Sequence, residues 1–192
     1  MKAAKTKDID DTLLRPGTQI YLKTSGEAYL KTFSELVTRL AKEQGRRGIL
    51  VSTLWSANAL SRRLSLSKLP RGSLKVIDTI SLSMGSKVSQ GEGFAFLSTP
   101  VSLESILMEI ERTLSTQGPG HNFLVFDSLT FLSKYYTAGQ LSEFFHFIFN
   151  RMLEESITVV IFDNEEESSR ISKELIPVMD HSIDIGEGGG KK

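Results

Sequence analysis

The sequence predicts an α/β domain built on a doubly wound, mostly parallel sheet with helices on both faces. Three observations favour this class. Short apolar runs of strand length alternate along the chain with longer segments whose apolar residues recur at helical spacing. The 192 residues, 40% of them hydrophobic, suffice for one domain with a buried core. No internal repeat or second domain interrupts this pattern.

Seven segments are predicted as strands because they are short, apolar and rich in β-branched or aromatic residues. They cover residues 18–22, 48–53, 74–79, 94–97, 122–127, 157–162 and 182–185. The run at 157–162 is the most hydrophobic, as expected of a strand that is buried on both faces of a parallel sheet.

Five helices are predicted between these strands, at about residues 25–44, 56–64, 102–117, 141–154 and 169–178. Ser25 is the expected N-cap of the first helix, and Gly45 ends it. The predicted core face of this helix consists of Leu30, Phe33, Val37 and Leu40.

Composition and end segments limit the setting of the domain. The charged, aperiodic residues 1–12 are predicted to be a flexible lead-in, 13–185 the domain, and the Gly-rich residues 186–192 a disordered tail. Charges balance at 23 against 23, so net charge indicates neither a nucleic acid nor a membrane as partner. The absence of cysteine excludes disulfides and fits a reducing compartment, so we expect a cytoplasmic protein. No apolar run approaches the roughly 20 residues of a membrane span, so no membrane contact is expected.

The predicted strand at 122–127 ends on Asp127, which Ser128 follows. A carboxylate is costly inside a doubly buried strand, so Asp127 is expected at the carboxyl edge of the sheet, where ligands bind. In many nucleotide-binding proteins, an Asp at this edge orients the magnesium ion. Two interpretations remain open: a retained metal role, or a strand-end carboxylate that caps the following turn together with Ser128.

The first strand–helix junction partly matches the phosphate-binding pattern GxxxxGK[ST]. Lys31 and Thr32 stand where the pattern requires Lys and Ser or Thr. Ser25 and Leu30 replace its two glycines, and Glu27 adds a negative charge. Because side chains resist the loop conformation that brings backbone N–H groups to a phosphate, an early helix start is the favoured interpretation.

Together, these segments resemble the RecA-like ATPases of the KaiC type, a branch common in archaea, over residues 13–185. The resembling segments are 14–18, 31–32, 49–53, 61–64, 76–78, 123–129, 158–162 and 180–185. The resemblance implies a RecA/P-loop NTPase-like fold. It also implies an ATPase that is often hexameric, uses ATP and Mg²⁺, and has its sites between subunits.

The sequence departs from that family at the residues that carry catalysis. Members usually have one or two glutamates just after the second strand, which activate the attacking water. Leu54 and Trp55 stand at the matching positions, and neither can accept a proton. We therefore expect degenerate Walker motifs, no catalytic residue and no bound cofactor. The vestigial nucleotide-binding positions are Ser25, Gly26, Lys31, Thr32 and Asp127.

No metal site is expected elsewhere in the chain. The three histidines are far apart in the sequence and lack the spacing of metal ligands; they are His121, His146 and His181. The acidic run at 163–167 follows a strand and is interpreted as a solvated loop.

Charge is distributed unevenly along the chain. Residues 44–77 contain seven basic side chains and no acidic one, whereas residues 140–187 contain eleven acidic and three basic side chains. Opposed charges suit head-to-tail association between subunits. The basic segment could instead contact nucleic acid, although only Trp55 is available there for base stacking, or form a solvated surface.

The helix at 141–154 is rich in Phe. Phe147 and, to a lesser degree, Phe149 are predicted to project from its core stripe, which indicates either a second contact surface or a deeply sunk helix. The predicted interaction surface consists of Arg46, Arg47, Arg62, Arg63 and Phe147.

These observations predict a non-catalytic, RecA/KaiC-like regulatory or scaffold protein that works through protein–protein contacts. The expected partner is the protein itself or an active homologous ATPase. The alternative is a divergent ATP-binding protein or ATPase that retains Lys31, Thr32 and Asp127, with association with DNA as an open option.

Overall fold

The fold is built on seven strands within the part of the chain that the structure, a computed structural model, describes. The described residues are 9, 14–24, 26–43, 45–86, 88, 93–98, 101–117, 122–164 and 170–185. The strands are β1 (Gln19–Thr24), β2 (Gly48–Ser52), β3 (Leu74–Asp78), β4 (Phe94–Phe96), β5 (Phe123–Phe126), β6 (Thr158–Asp163) and β7 (His181–Ile185). They pair in parallel in the order β4-β3-β2-β5-β6-β1-β7, which confirms the predicted parallel, doubly wound sheet.

Six α-helices connect these strands in the described residues. They are α1 (Gly26–Lys42), α2 (Ala57–Arg63), α3 (Leu103–Gln117), α4 (Leu129–Leu132), α5 (Ala138–Glu154) and α6 (Arg170–Leu175). Short 3₁₀ turns follow at Leu66–Lys68 and Ile176–Val178. The one-turn helix α4 was absent from the sequence prediction, because four residues are too few to show helical periodicity.

Each face of the sheet carries its own hydrophobic core. Helices α1 and α2 pack on one face, in a core that includes Phe33, Leu60 and Val125. Helices α3 to α6 pack on the other face, in a core that includes Ile110 and Phe126. Consecutive residues of β5 thus enter opposite cores, as the pleat of a strand requires.

Two predicted helix faces are corrected by the structure. In α1, Tyr29 is buried and Leu30 is only half-buried, so the core stripe begins one residue earlier than predicted. In α5, Phe149 is buried in the core, and only Phe147 of the two is exposed, at 52%. The helix is sunk deeply enough to bury a wider stripe than its sequence spacing suggested.

The predicted lead-in is also corrected at one position. Ile9 is fully buried against the α1 face, and its backbone carbonyl accepts a hydrogen bond from Arg39 Nη2 at 2.7 Å. The other residues of the segment 1–12 lie outside the described part, as do those of the predicted tail. No helix of the described chain is both long and apolar enough to cross a membrane.

The close contact between β2 and β5 depends on Gly48. A Cβ atom at this position would lie 2.0 Å from Cζ of Phe123, which is paired with Gly48 in the parallel register. Glycine is required here because the aromatic ring occupies the space of a side chain.

Candidate functional site

The topology places a crevice at the carboxyl ends of β2 and β5. These neighbouring strands continue into helices on opposite faces of the sheet, since α2 packs on the α1 face and α4 on the other. Open α/β sheets bind ligands where connections diverge in this way. Asp127 and the loop that follows β2 lie at this point.

The carboxylate of Asp127 accepts hydrogen bonds from the end of β2 and the loop that follows it. This carboxylate is fully buried. One oxygen accepts hydrogen bonds from the backbone N–H and the hydroxyl of Thr53, both at 2.8 Å. The other accepts from Ser52 Oγ at 2.7 Å and from the backbone N–H of Leu54 at 3.2 Å. Burial raises the pKa of the Asp127 carboxyl, and these four donors offset part of that effect.

Two further strand-end carboxylates are built into the same edge. Asp78, at the end of β3, accepts from the backbone N–H of Ala57 at 2.6 Å and from the backbone N–H and hydroxyl of Ser81. Asp163, at the end of β6, accepts from the hydroxyls of Tyr21 and Thr130. Asp163 is 1% exposed, so the prediction of a solvated acidic loop is wrong for this residue. The remaining residues of that run, 165–167, lie outside the described part.

Helix α1 begins at Gly26, so a single residue, Ser25, separates it from the end of β1 at Thr24. Gly26 has a φ of +57°, and Ser25, the predicted N-cap, lies outside the described residues. Lys31 is therefore the sixth residue of a helix, and its side chain is exposed. Thr32 is buried. The structure thus shows a direct strand-to-helix connection with no long loop between β1 and α1 that could curl around a phosphate.

An aromatic cluster fills the space between α1 and the loop after β2. It consists of Tyr29, Phe33, Trp55 and Phe162. The ring centroids of Phe33 and Trp55 are 5.0 Å apart, and those of Tyr29 and Trp55 are 5.5 Å apart. The Tyr29 hydroxyl donates to the backbone carbonyl of Asp127, and its burial raises the pKa of that hydroxyl. The guanidinium carbon of Arg63 lies 5.0 Å from the centroid of Trp55 and caps the cluster.

This cluster joins the segment that matches the phosphate loop to the residues just after the second strand. Tyr29 lies within the segment matching the phosphate loop, and Trp55 occupies a position that the resemblance reserves for a catalytic glutamate. Because the rings of Tyr29 and Trp55 pack on each other, side chains fill the space between the phosphate-loop segment and the loop after β2. The residues present do not fit ATP and Mg²⁺ at this point. In the described part of the chain, moreover, no group of three or more His, Cys, Asp or Glu is arranged to hold a metal ion.

The predicted surface residues occupy different environments. Arg46 is 7% exposed and donates to the carbonyl of Leu14 at 2.7 Å, so the structure places it in the domain and corrects its assignment to a surface. Arg47 and Arg62 are exposed, and Arg63 covers Trp55. Phe147 is exposed on α5.

Comparison with known proteins places the chain in a family. The sequence profile of a family of unknown function, DUF7504, matches residues 25–185. The chain belongs to this family. A search of curated proteins found no significant match to the sequence.

Three solved structures with the same fold come from the archaeon Pyrococcus horikoshii. A KaiC-like protein shares 16% identity at a TM-score of 0.64, with 100% of this chain and 84% of that chain covered. An uncharacterized protein, solved in complex with an unknown peptide, shares 10% identity at a TM-score of 0.66, with 95% and 84% covered. A third protein shares 16% identity at a TM-score of 0.61, with 97% and 90% covered. These similarities confirm the predicted RecA/KaiC-like fold of this DUF7504 member.

The donors to Asp127 and the contact of Tyr29 with Trp55 are not predicted from the sequence. Ser52 and Thr53 are 75 and 74 residues from Asp127 in the chain, and no local pattern connects them. The available signal was their position directly after a predicted strand, which becomes informative once β2 and β5 are known to be neighbours. Tyr29 was one residue away from the predicted stripe.

Proposed function

We propose that this protein is a non-catalytic member of the RecA/KaiC-like fold that acts as a regulatory or scaffold protein through protein–protein contacts. The observation that carries the proposal is the packing of Tyr29 on Trp55, with centroids 5.5 Å apart. These two side chains occupy the phosphate-loop segment and a catalytic-glutamate position. A nucleotide would have to displace buried aromatic rings whose removal from the core is costly.

The state of Asp127 supports the same proposal. A carboxylate that orients magnesium must present an oxygen lone pair to the ion or to its water shell. Both oxygens of Asp127 instead accept two protein donors each, in a fully buried environment. The carboxylate therefore joins the β2 loop to β5.

The sheet order supports a protein partner by separating the two charged segments. The basic segment contains β2, α2 and β3, in one half of the sheet, whereas the acidic segment contains β6 and β7, in the other half. Head-to-tail contact with a second copy, or with an active homologous ATPase of the same fold, would bring opposite charges together.

An exposed apolar pair offers a further contact point. Helices α3 and α5 are joined by an ion pair between Glu111 and Arg151, at 3.1 Å. Met108 lies three residues before Glu111, and Phe147 lies four residues before Arg151, so both lie one helical turn from this bridge. They are 67% and 52% exposed. One structural neighbour was solved with an unknown peptide bound, which supports peptide or protein recognition as a property to test here.

Calorimetric titration with ATP and Mg²⁺, together with a phosphate-release assay, tests the non-catalytic part of the proposal. We expect no saturable heat and no phosphate release above the buffer rate. If binding and turnover are both measured, and Lys31→Ala abolishes them while the exposed-site control Lys42→Ala does not, the alternative of a divergent ATPase is correct.

Sedimentation of the protein at low and high salt tests the contact part. We expect association, with itself or with a purified homologous ATPase, that weakens with added salt because charged surfaces are screened.

Phe147→Ser should weaken this association, whereas Leu153→Ser, at an exposed position on the same helix, should leave it unchanged. An association indifferent to both salt and Phe147 would contradict the proposed surface. Binding to nucleic acid with a steep salt dependence would instead favour the DNA-associated alternative.

A further inference from the structure

A cavity opens at the carboxyl edge of the sheet, on the opposite face from the aromatic cluster. Its volume is about 280 Å³. Its walls include the apolar side chains of Ile106, Phe131 and Leu132 and the hydroxyl-bearing residues Thr53, Thr79 and Tyr136. Ile106 and Leu132 belong to the core under α3 to α6, whereas Phe33 of the cluster belongs to the other core.

The lining excludes a charged ligand. Among the described residues that line the cavity, none carries a formal charge, and most of the lining surface is apolar. A charged group placed there would lose its hydration without gaining an ion-pair partner, which is costly. An aromatic or aliphatic ring would bury its surface against apolar walls.

The hydroxyl groups of the lining restrict the ligand further. Thr53 Oγ1 donates to Asp127 Oδ1 at 2.8 Å, Thr79 Oγ1 donates to the carbonyl of Ser52 at 2.9 Å, and Tyr136 donates to the carbonyl of Val101 at 2.7 Å. Each hydroxyl has one proton, and the protein already uses it. Ser83 Oγ likewise donates to the carbonyl of Ile80, at 2.6 Å. What these four groups can still offer is acceptor lone pairs, so a ligand gains hydrogen bonds with them by donating.

We infer that this cavity binds a small, neutral aromatic molecule that carries a hydrogen-bond donor, of the size and kind of phenol or indole. An engineered cavity of about 150 Å³ lined by apolar side chains is known to hold benzene, so the larger cavity here accommodates one ring with a substituent or a fused pair of rings. The inference does not rest on the proposed loss of nucleotide binding, although Thr53 both lines this cavity and donates to Asp127. The site lies on the other face of the sheet and uses none of the four clustered rings.

Exposed residues in the lining make the cavity accessible to a free small molecule. Tyr135, which is 68% exposed, and Ser83, which is also exposed, both line it. Thr53 and Thr79 are both held by the hydrogen bonds described above. A preformed, concave and mostly apolar site with a few fixed polar groups is the usual form of a small-molecule site.

Titration of the isotope-labelled full-length protein with phenol, indole, toluene and benzoate, followed by amide chemical shifts, tests this inference. We expect saturable shifts around Thr53, Thr79 and Tyr136 with phenol and indole. Toluene should bind about fivefold more weakly than phenol, because it cannot donate the hydrogen bond. Benzoate, an anion without a donor, should cause no saturable shift.

Two variants locate the site. Ile80→Trp places a large side chain in the lining and should weaken indole binding by about tenfold or more, whereas Val178→Trp, at an exposed position in the 3₁₀ turn Ile176–Val178, should not. Thr79→Val removes one acceptor and should reduce the preference for phenol over toluene while toluene binding persists. The inference is overturned if no ligand gives saturable shifts, if benzoate binds as tightly as phenol, or if Ile80→Trp leaves indole binding unchanged.

Discussion

At the scale of single residues, Asp127 shows how a buried carboxylate is held at the end of a strand. A buried carboxylate is tolerable only when its oxygens are paired, and here four donors from three consecutive residues pair them. The same device recurs at Asp78, which caps the first turn of α2 and the turn after β3. Strand-end carboxylates at this edge therefore hold loops together.

The first prediction concerns Asp127→Asn. An amide has one acceptor oxygen, so replacement of the other oxygen by an NH₂ group leaves at least one buried donor facing a donor. We expect unfolding free energy to fall by at least about 2 kcal/mol in urea denaturation, because each unpaired buried donor costs about 1–3 kcal/mol. Asp184→Asn, on the exposed side of β7, should change stability little. A more stable Asp127→Asn protein would indicate an unpaired carboxylate held for a metal ion.

The pH dependence of stability gives a second readout of Asp127. Burial raises the pKa of its carboxyl in the folded state, so above the ordinary pKa of 3.8 and up to the raised value the folded state binds more protons than the unfolded state. Unfolding free energy should therefore fall as pH rises through that window. The difference in stability between wild type and Asp127→Asn, measured against pH, should show this slope. If this difference in unfolding free energy did not change with pH, the four hydrogen-bond donors would fully offset the effect of burial on the pKa of Asp127.

At the scale of elements, the start of α1 decides what the carboxyl edge can do. The helix begins one residue after β1, which turns Tyr29 into its first fully packed core residue and leaves Lys31 exposed. Tyr29 then meets Trp55 from the loop after β2. Tyr29 of the first strand–helix junction and Trp55 of the loop after β2 thus belong to one packed cluster.

Replacement of Phe33 by Ala tests how tightly this cluster is packed. Phe33 is fully buried and contacts Tyr29, Trp55 and Phe162. We expect a loss of about 3–5 kcal/mol in unfolding free energy, the usual cost of a large-to-small change in a core. Phe147→Ala, which shortens an exposed side chain, is the matched control and should cost much less. A loss under about 1 kcal/mol at Phe33 would show that the cluster yields easily to a ligand.

Sequence reasoning succeeded for elements and failed for contacts between them. The strands of the sheet and the long helices follow from periodicity that each segment carries by itself. The register in α1 was one residue off, because both Tyr29 and Leu30 are apolar enough to continue the stripe. The donors to Asp127 could not be predicted, since their proximity depends on the strand order, which no local pattern encodes. The four-residue helix α4 is too short to produce a pattern at all.

At the scale of the whole molecule, the two faces of the sheet differ in packing at the carboxyl edge, and its two halves differ in charge. The face under α1 and α2 is closed at its carboxyl edge by the aromatic cluster, whereas the other face retains an open cavity of about 280 Å³. Across the sheet, the basic segment lies in the half that contains β2 and β3, and the acidic segment lies in the half that contains β6 and β7. The aromatic cluster and the cavity thus lie on opposite faces of the sheet, and the two charged segments lie in opposite halves.

The fluorescence of Trp55 reports whether a nucleotide enters the space that the aromatic cluster occupies. Trp55 is the only tryptophan in the chain, and its ring packs on Tyr29 and Phe33 and under Arg63. A nucleotide entering between the two motif positions has to move this ring, and a moved ring changes its emission. We predict that millimolar ATP with Mg²⁺ leaves the intensity and wavelength of Trp55 emission unchanged. A saturable change that Lys31→Ala abolishes, and Lys42→Ala does not, would contradict the account.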